Sequence, residues 1–77
     1  MSYCVKRIIL KSGELVTERE LRADENCYDG EPPVVGDEIT VHCRGRNFRA
    51  KVIWGNWPKS GAQRDPNKVV PLRVEEI

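Results

Sequence analysis

Cys4, Cys27, His42 and Cys43 are the residues best equipped for chemistry. Four such ligands would suffice for a structural zinc site. Those sites, however, are built from close pairs, such as CxxC or HxxxH, that deliver two ligands to one metal. No such pair occurs here. His42 and Cys43 are adjacent, so on a strand they point to opposite faces. That also separates them as a nucleophile and its base, which must lie within hydrogen-bond reach. Cys27 could still meet His42, but nothing in the sequence joins them. An odd number of widely spaced cysteines is not a disulfide framework. Three thiols are expected: Cys43 buried, Cys4 half-buried and Cys27 in a loop. Neither metal, cofactor nor enzymatic activity is expected.

The second constellation is electrostatic. Net charge is +1, yet residues 1–13 carry +3, residues 14–38 carry −7, residues 39–68 carry +6 and residues 69–77 carry −1. An acidic half therefore precedes a basic half. Arg44, Arg46, Arg49 and Lys51 crowd one short stretch; Lys59, Arg64 and Lys68 follow, with Trp57 beside them. Cations serve phosphates and an aromatic face serves a base, which is what a single nucleic-acid strand requires. The competing reading is a solvated face whose charge is answered within the molecule by residues 14–38. Asp24, Glu25, Asp29 and Glu31 surround Gly30 without the spacing of a calcium loop.

These side chains must be held by strands. GDEITVHC, residues 36–43, alternates with Ile39, Val41 and Cys43 on one face. NFRAKVIW, residues 47–54, alternates with Phe48, Ala50, Val52 and Trp54 on one face. Period-two alternation marks half-buried strands, and the RGRN between them has hairpin length. Residues 37–54 therefore read as a β-hairpin. YCVKRIIL and LVTEREL flank a KSGE turn and read as another, with Leu15, Thr17, Arg19 and Leu21 on one side. The rival for residues 14–22 is a short helix, because Thr17-x-x-Glu20 matches a capping box. Residues 23–36 and 55–68 read as loops, DPNK as one 3₁₀ turn. VVPLRVEEI is a last strand with Val70, Leu72 and Val74 inward. Pro71 lacks a ladder donor, which predicts an edge strand or a bulge there. In WGNWP, residues 54–58, Trp54 continues the inward phase of Phe48, Ala50 and Val52. Trp57 lies beyond Gly55, either as a lid on the fold or exposed beside the basic face.

Seventy-seven residues, 39% hydrophobic and 32% charged, make one domain, residues 1–77, with a thin core. No apolar run approaches the roughly 20 residues that span a bilayer. VKRIILK lacks the length and cleavage site of a signal peptide. A cytoplasmic protein without a membrane partner is expected.

GDEITV, FRAKVIW and DPNKVVPLRV together are similar to the core of SH3-like small barrels. That group often shows a Gly-Asp strand entry, then a strand with an aromatic and an alanine, then a 3₁₀ turn before the closing strand. The resemblance covers residues 36–74. It implies an all-β fold, a five-stranded SH3-like small barrel with one short 3₁₀ turn before the last strand, and a binding module. Asn47-Phe48 stands where peptide-binding SH3 domains carry paired tryptophans. Five aromatics in the whole chain do not make a Tudor-like cage. The expected function is a non-enzymatic binding module. It would contact nucleic acid through Arg44, Arg46, Arg49, Lys51, Trp57, Lys59 and Arg64. The alternatives are a protein-interaction module binding an extended peptide or an acidic protein surface, with a groove between residues 23–36 and the Trp57 loop, and a structural protein self-associating through the Pro71 edge strand. A monomer or weak homodimer is expected.

Overall fold

The alternating residues of the middle segment fold into the expected hairpin. The computed structural model describes residues 2–57 and 69–77. Among them are strands β1 (Ser2–Ile9), β2 (Leu15–Val16), β3 (Cys27–Asp29), β4 (Glu38–Cys43), β5 (Arg46–Gly55) and β6 (Val69–Glu76), and one helical turn, α1 (Ala23–Asn26). β4 and β5 pair antiparallel from Glu38↔Lys51 to Cys43↔Arg46. Arg44 and Gly45 alone make the turn, at φ 53° and 75°. Two-residue hairpin turns with positive φ match the twist of the strands they join. Gly45 adopts this freely; for Arg44 the Cβ makes it cost about 1–2 kcal/mol.

The sheet order is β2-β1-β6-β5-β4, and β3 also pairs with β1. β3 lies along Ser2–Cys4 and β2 along Ile8–Ile9, so both occupy one edge of β1. β1 and β6 run parallel, in register from Ser2↔Val69 to Ile9↔Glu75. Val5, Ile8, Val16, Val41, Ala50, Val52, Val70, Leu72 and Val74 form the buried core.

Several expectations are corrected. The sheet is not closed into a barrel, and it has six strands rather than five among the described residues. The gap falls between α1–β3 and β4, where side chains replace the ladder: Asn26 bonds the main chain of His42, and the Tyr28 hydroxyl donates to the Thr40 carbonyl. β6 is not an edge strand; it is central, between β1 and β5. Pro71 is tolerated because the β5 ladder ends there. The Pro71 carbonyl accepts the Asn56 N–H at 3.2 Å, and proline has no N–H to return.

The return strand of the first hairpin is only Leu15–Val16, and its phase is reversed. Val16 is buried and Leu15 half exposed. After it comes a single hydrogen-bonded turn in which the Thr17 carbonyl accepts the Glu20 and Leu21 N–H groups; it does not continue into the short helix offered as the rival. The presumed loop 23–36 contains α1 and β3. The expected 3₁₀ turn lies outside the described residues.

The cysteine expectation is corrected too. Cys4 and Cys27 face each other across the β1–β3 pair and form a disulfide, with Cα atoms 4.1 Å apart. Their 23-residue separation is irrelevant once antiparallel register places two side chains directly opposite. Cys43 is a free, buried thiol. Disulfides persist in oxidising compartments, so the cysteines lend no support to the expected cytoplasmic location. No described helix is long and apolar enough to cross a membrane.

Candidate functional site

Two bulges flank one residue of β6. On β1 the register passes from Val5↔Leu72 to Arg7↔Arg73, leaving Lys6 extra. On β5 it passes from Val52↔Val74 to Trp54↔Arg73, leaving Ile53 extra. One extra residue moves every following side chain to the other face. Val52 is therefore buried while Trp54, two residues on, is 42% exposed. This overturns the assignment of Trp54 to the core.

The bulges align Arg7, Arg73 and Trp54 in one row on the outer face, across three strands. The Arg73 guanidinium lies 4.5 Å from the centre of the indole, a cation–π contact worth about 0.5–1 kcal/mol at an exposed site. No ion pair between described residues engages Arg7 or Arg73. Two arginines thus sit opposite each other in register, in an ion pair with no described carboxylate, next to an exposed aromatic ring. Lys51 sits one row away, opposite Glu75 on β6 and Glu38 on β4.

The basic hairpin is largely neutralised. Arg44 bonds both Glu14 and Glu20, each at 2.5 Å. The hydrogen bond from Arg44 holds the carboxyls of Glu14 and Glu20 below their ordinary range. The same two bonds push the Arg44 guanidinium pKa up. Arg46 pairs with Glu76 at 2.9 Å and covers the Phe48 ring. The Lys11 N–H, then Arg46, lower the Glu76 pKa. Arg49 stands 3.9 Å from Glu38. Residues 14–38 thus answer Arg44 and Arg49 among the described bases, while Arg46 is answered by Glu76 of β6.

Trp57 is half-buried against the core. Its Nε1–H donates to the Pro33 carbonyl at 2.6 Å. That bond ties Trp57 to the 23–36 segment. Gly55 makes room for the ring; a Cβ there would lie 2.6 Å from Trp57 Cζ2 and 2.8 Å from Leu72 Cδ2. Trp57 is a lid. Lys59 and Arg64 lie outside the described residues.

His42 reaches Asn47 through Nδ1 and Oδ1, and no group of His, Cys, Asp and Glu among the described residues could hold a metal ion. A cleft of about 540 Å³ lies between β3 and the β4–β5 turn, lined by Cys27, Tyr28, His42 and Arg46 among others.

Sequence reasoning missed Arg7, Arg73 and Asn26. The outward phase of Arg73 was readable from Val70, Leu72 and Val74. The bulges that bring Arg7 and Trp54 to it leave no local signature. Comparison with protein families, curated proteins and solved structures finds no match to this chain.

Proposed function

We propose that this protein is a non-enzymatic binding module that takes a single nucleic-acid strand on its outer sheet face. The observation that carries this reading is the row Arg7, Arg73 and Trp54, two arginines in ion pairs with no described carboxylate and in register with an exposed indole. A base stacks on the indole face that Arg73 leaves open, and the two guanidinium groups take phosphates. Base–aromatic stacking contributes about 1–3 kcal/mol per base and tolerates any sequence. The similarity of residues 36–74 to SH3-like barrels supports a binding role rather than catalysis, although fold alone does not fix function. Arg49 and Lys51 extend the face; Arg44, Arg46 and Trp57 serve the fold.

The test is titration with short single-stranded and duplex oligonucleotides at low salt. Two or three neutralised phosphates give a log–log salt slope of about −1.4 to −2.1, at about −0.7 per phosphate for single strands. Absence of binding, or a slope near zero, refutes the reading. A protein partner is the second reading, favoured by Val34 and Val35, 56% and 58% exposed, whose loop is tied to the bulged end of β5 by the Gly36 N–H to Val52 carbonyl bond. A partner retained from nuclease-treated extract would support it.

A further inference from the structure

Residues 22–29 form a strap across the gap between β1 and β4; no described side chain of it belongs to the apolar core, and its aromatic contact is that of Tyr28 with Tyr3, ring centres 5.3 Å apart. Asn26 is buried, Cys27 and Tyr28 are half-buried, and Arg22, Glu25 and Asp29 are exposed. Three register pairs and the Cys4–Cys27 disulfide tie the strap to β1. Asn26 and the Tyr28 hydroxyl tie it to β4. Segments held by a few polar bonds and little buried apolar surface open before the core does. The disulfide is the covalent member of this set. Its Cys27 end lines the 540 Å³ cleft, together with Glu25, Tyr28, His42 and Arg46. Cys27 is half-buried, and a small thiol entering that cleft meets it beside the Arg46 cation, which favours a thiolate, and the Glu25 carboxylate, which opposes it.

We propose that the Cys4–Cys27 disulfide is a redox latch on the outer edge of β4, opened by a small-molecule thiol. Oxidised, it holds the strap over that edge. Reduced, it lets residues 22–29 lift away and exposes the main chain of His42 and Thr40, while the rest of the sheet stays folded. The reductant's thiolate attacks Cys27 Sγ. The S–S bond breaks, and its electron pair leaves on Cys4 Sγ, which takes a proton. A second thiolate attacks the reductant's sulfur in the mixed disulfide and releases Cys27 as a thiol. Two reductant thiols become one disulfide, and the protein gains two thiols. Cys43 does not compete, because it is 5% exposed and burial pushes its thiol pKa up, leaving little thiolate.

The inference is independent of nucleic-acid binding, and so is its test. Amide hydrogen exchange is followed in the intact protein, oxidised and in dithiothreitol, and in the Cys4→Ser/Cys27→Ser variant. The His42 N–H, which donates to Asn26 Oδ1, should exchange at least tenfold faster after reduction. Val52 and Val74 should stay unchanged, and the variant should be fast in both conditions. Equal His42 protection in both states overturns the latch. Acceleration of Val52 and Val74 along with His42, or a double variant that does not fold, also overturns it, since the disulfide would then staple the whole fold.

Discussion

The Asn26 side chain pairs with the His42 main chain as a neighbouring strand would. Its Nδ2 donates to the His42 carbonyl at 2.9 Å, and its Oδ1 accepts the His42 N–H at 3.1 Å. Asn26 is 1% exposed, the one buried polar side chain among the described residues, and both ends of its amide are satisfied. An unpaired sheet edge invites other chains. Here one amide covers the β4 edge without a strand.

Asn26→Ala removes both bonds and leaves the His42 groups poorly paired. A buried polar group left without its partner costs about 1–3 kcal/mol. The variant should lose about 2–3 kcal/mol in urea denaturation. Tyr28→Phe, which removes a more exposed hydroxyl shared between the Thr40 and Glu25 carbonyls, should lose about 1 kcal/mol or less. Equal, small losses would mean that the gap is not closed by Asn26.

Gly55→Ala should destabilise by about 1–3 kcal/mol, as overpacking does. The added methyl group meets the Trp57 ring at 2.6 Å and the Leu72 methyl at 2.8 Å, and both neighbours pack in the core. A melting temperature equal to that of the parent would show that the lid can shift without loss.

Glu14, Glu20 and Glu76 have depressed pKa values in the folded state. A depressed carboxyl pKa adds stability above the unfolded value, about 4.5, and that stability is lost as pH falls through the folded value. Stability should therefore decline below about pH 4.5. Because the two Arg44 pairs are exposed, salt should weaken their share of the effect. Arg44→Ala should flatten the acid slope, measured as denaturation midpoint against pH. Arg44→Gly should flatten it equally yet be about 1 kcal/mol more stable than the alanine variant, because glycine accepts φ 53° without strain. Identical Ala and Gly variants would show that the turn relaxes.

The two tryptophans should separate function from stability. Trp57→Ala should cost about 3 kcal/mol or more, by loss of a large packed ring and of its bond to the Pro33 carbonyl. Trp54→Ala should change stability by about 1 kcal/mol or less, the scale of an exposed cation–π contact. It should weaken oligonucleotide binding about tenfold, the equivalent of about 1.4 kcal/mol and within the range for stacking one base. Unchanged oligonucleotide affinity in Trp54→Ala would remove the aromatic platform from the proposal.

Periodicity and turn chemistry were enough to read the β4–β5 hairpin, the inward phase of Val70, Leu72 and Val74 and the all-β character. Each is a local property, carried by alternation within a strand or by one glycine in a turn. The division of charge was also readable, and the pairing of Arg44 with Glu14 and Glu20 follows its acidic-against-basic pattern. Tertiary structure decided the rest. Only the parallel pairing of β1 with β6 makes the last strand central. Only the bulges at Lys6 and Ile53 turn Trp54 outward and set Arg7 and Trp54 beside Arg73. Only the β1–β3 register joins Cys4 to Cys27. Register between distant segments depends on which neighbours a strand finds, and a one-residue slip inverts every face beyond it. The alternation of a single strand carries no record of that choice.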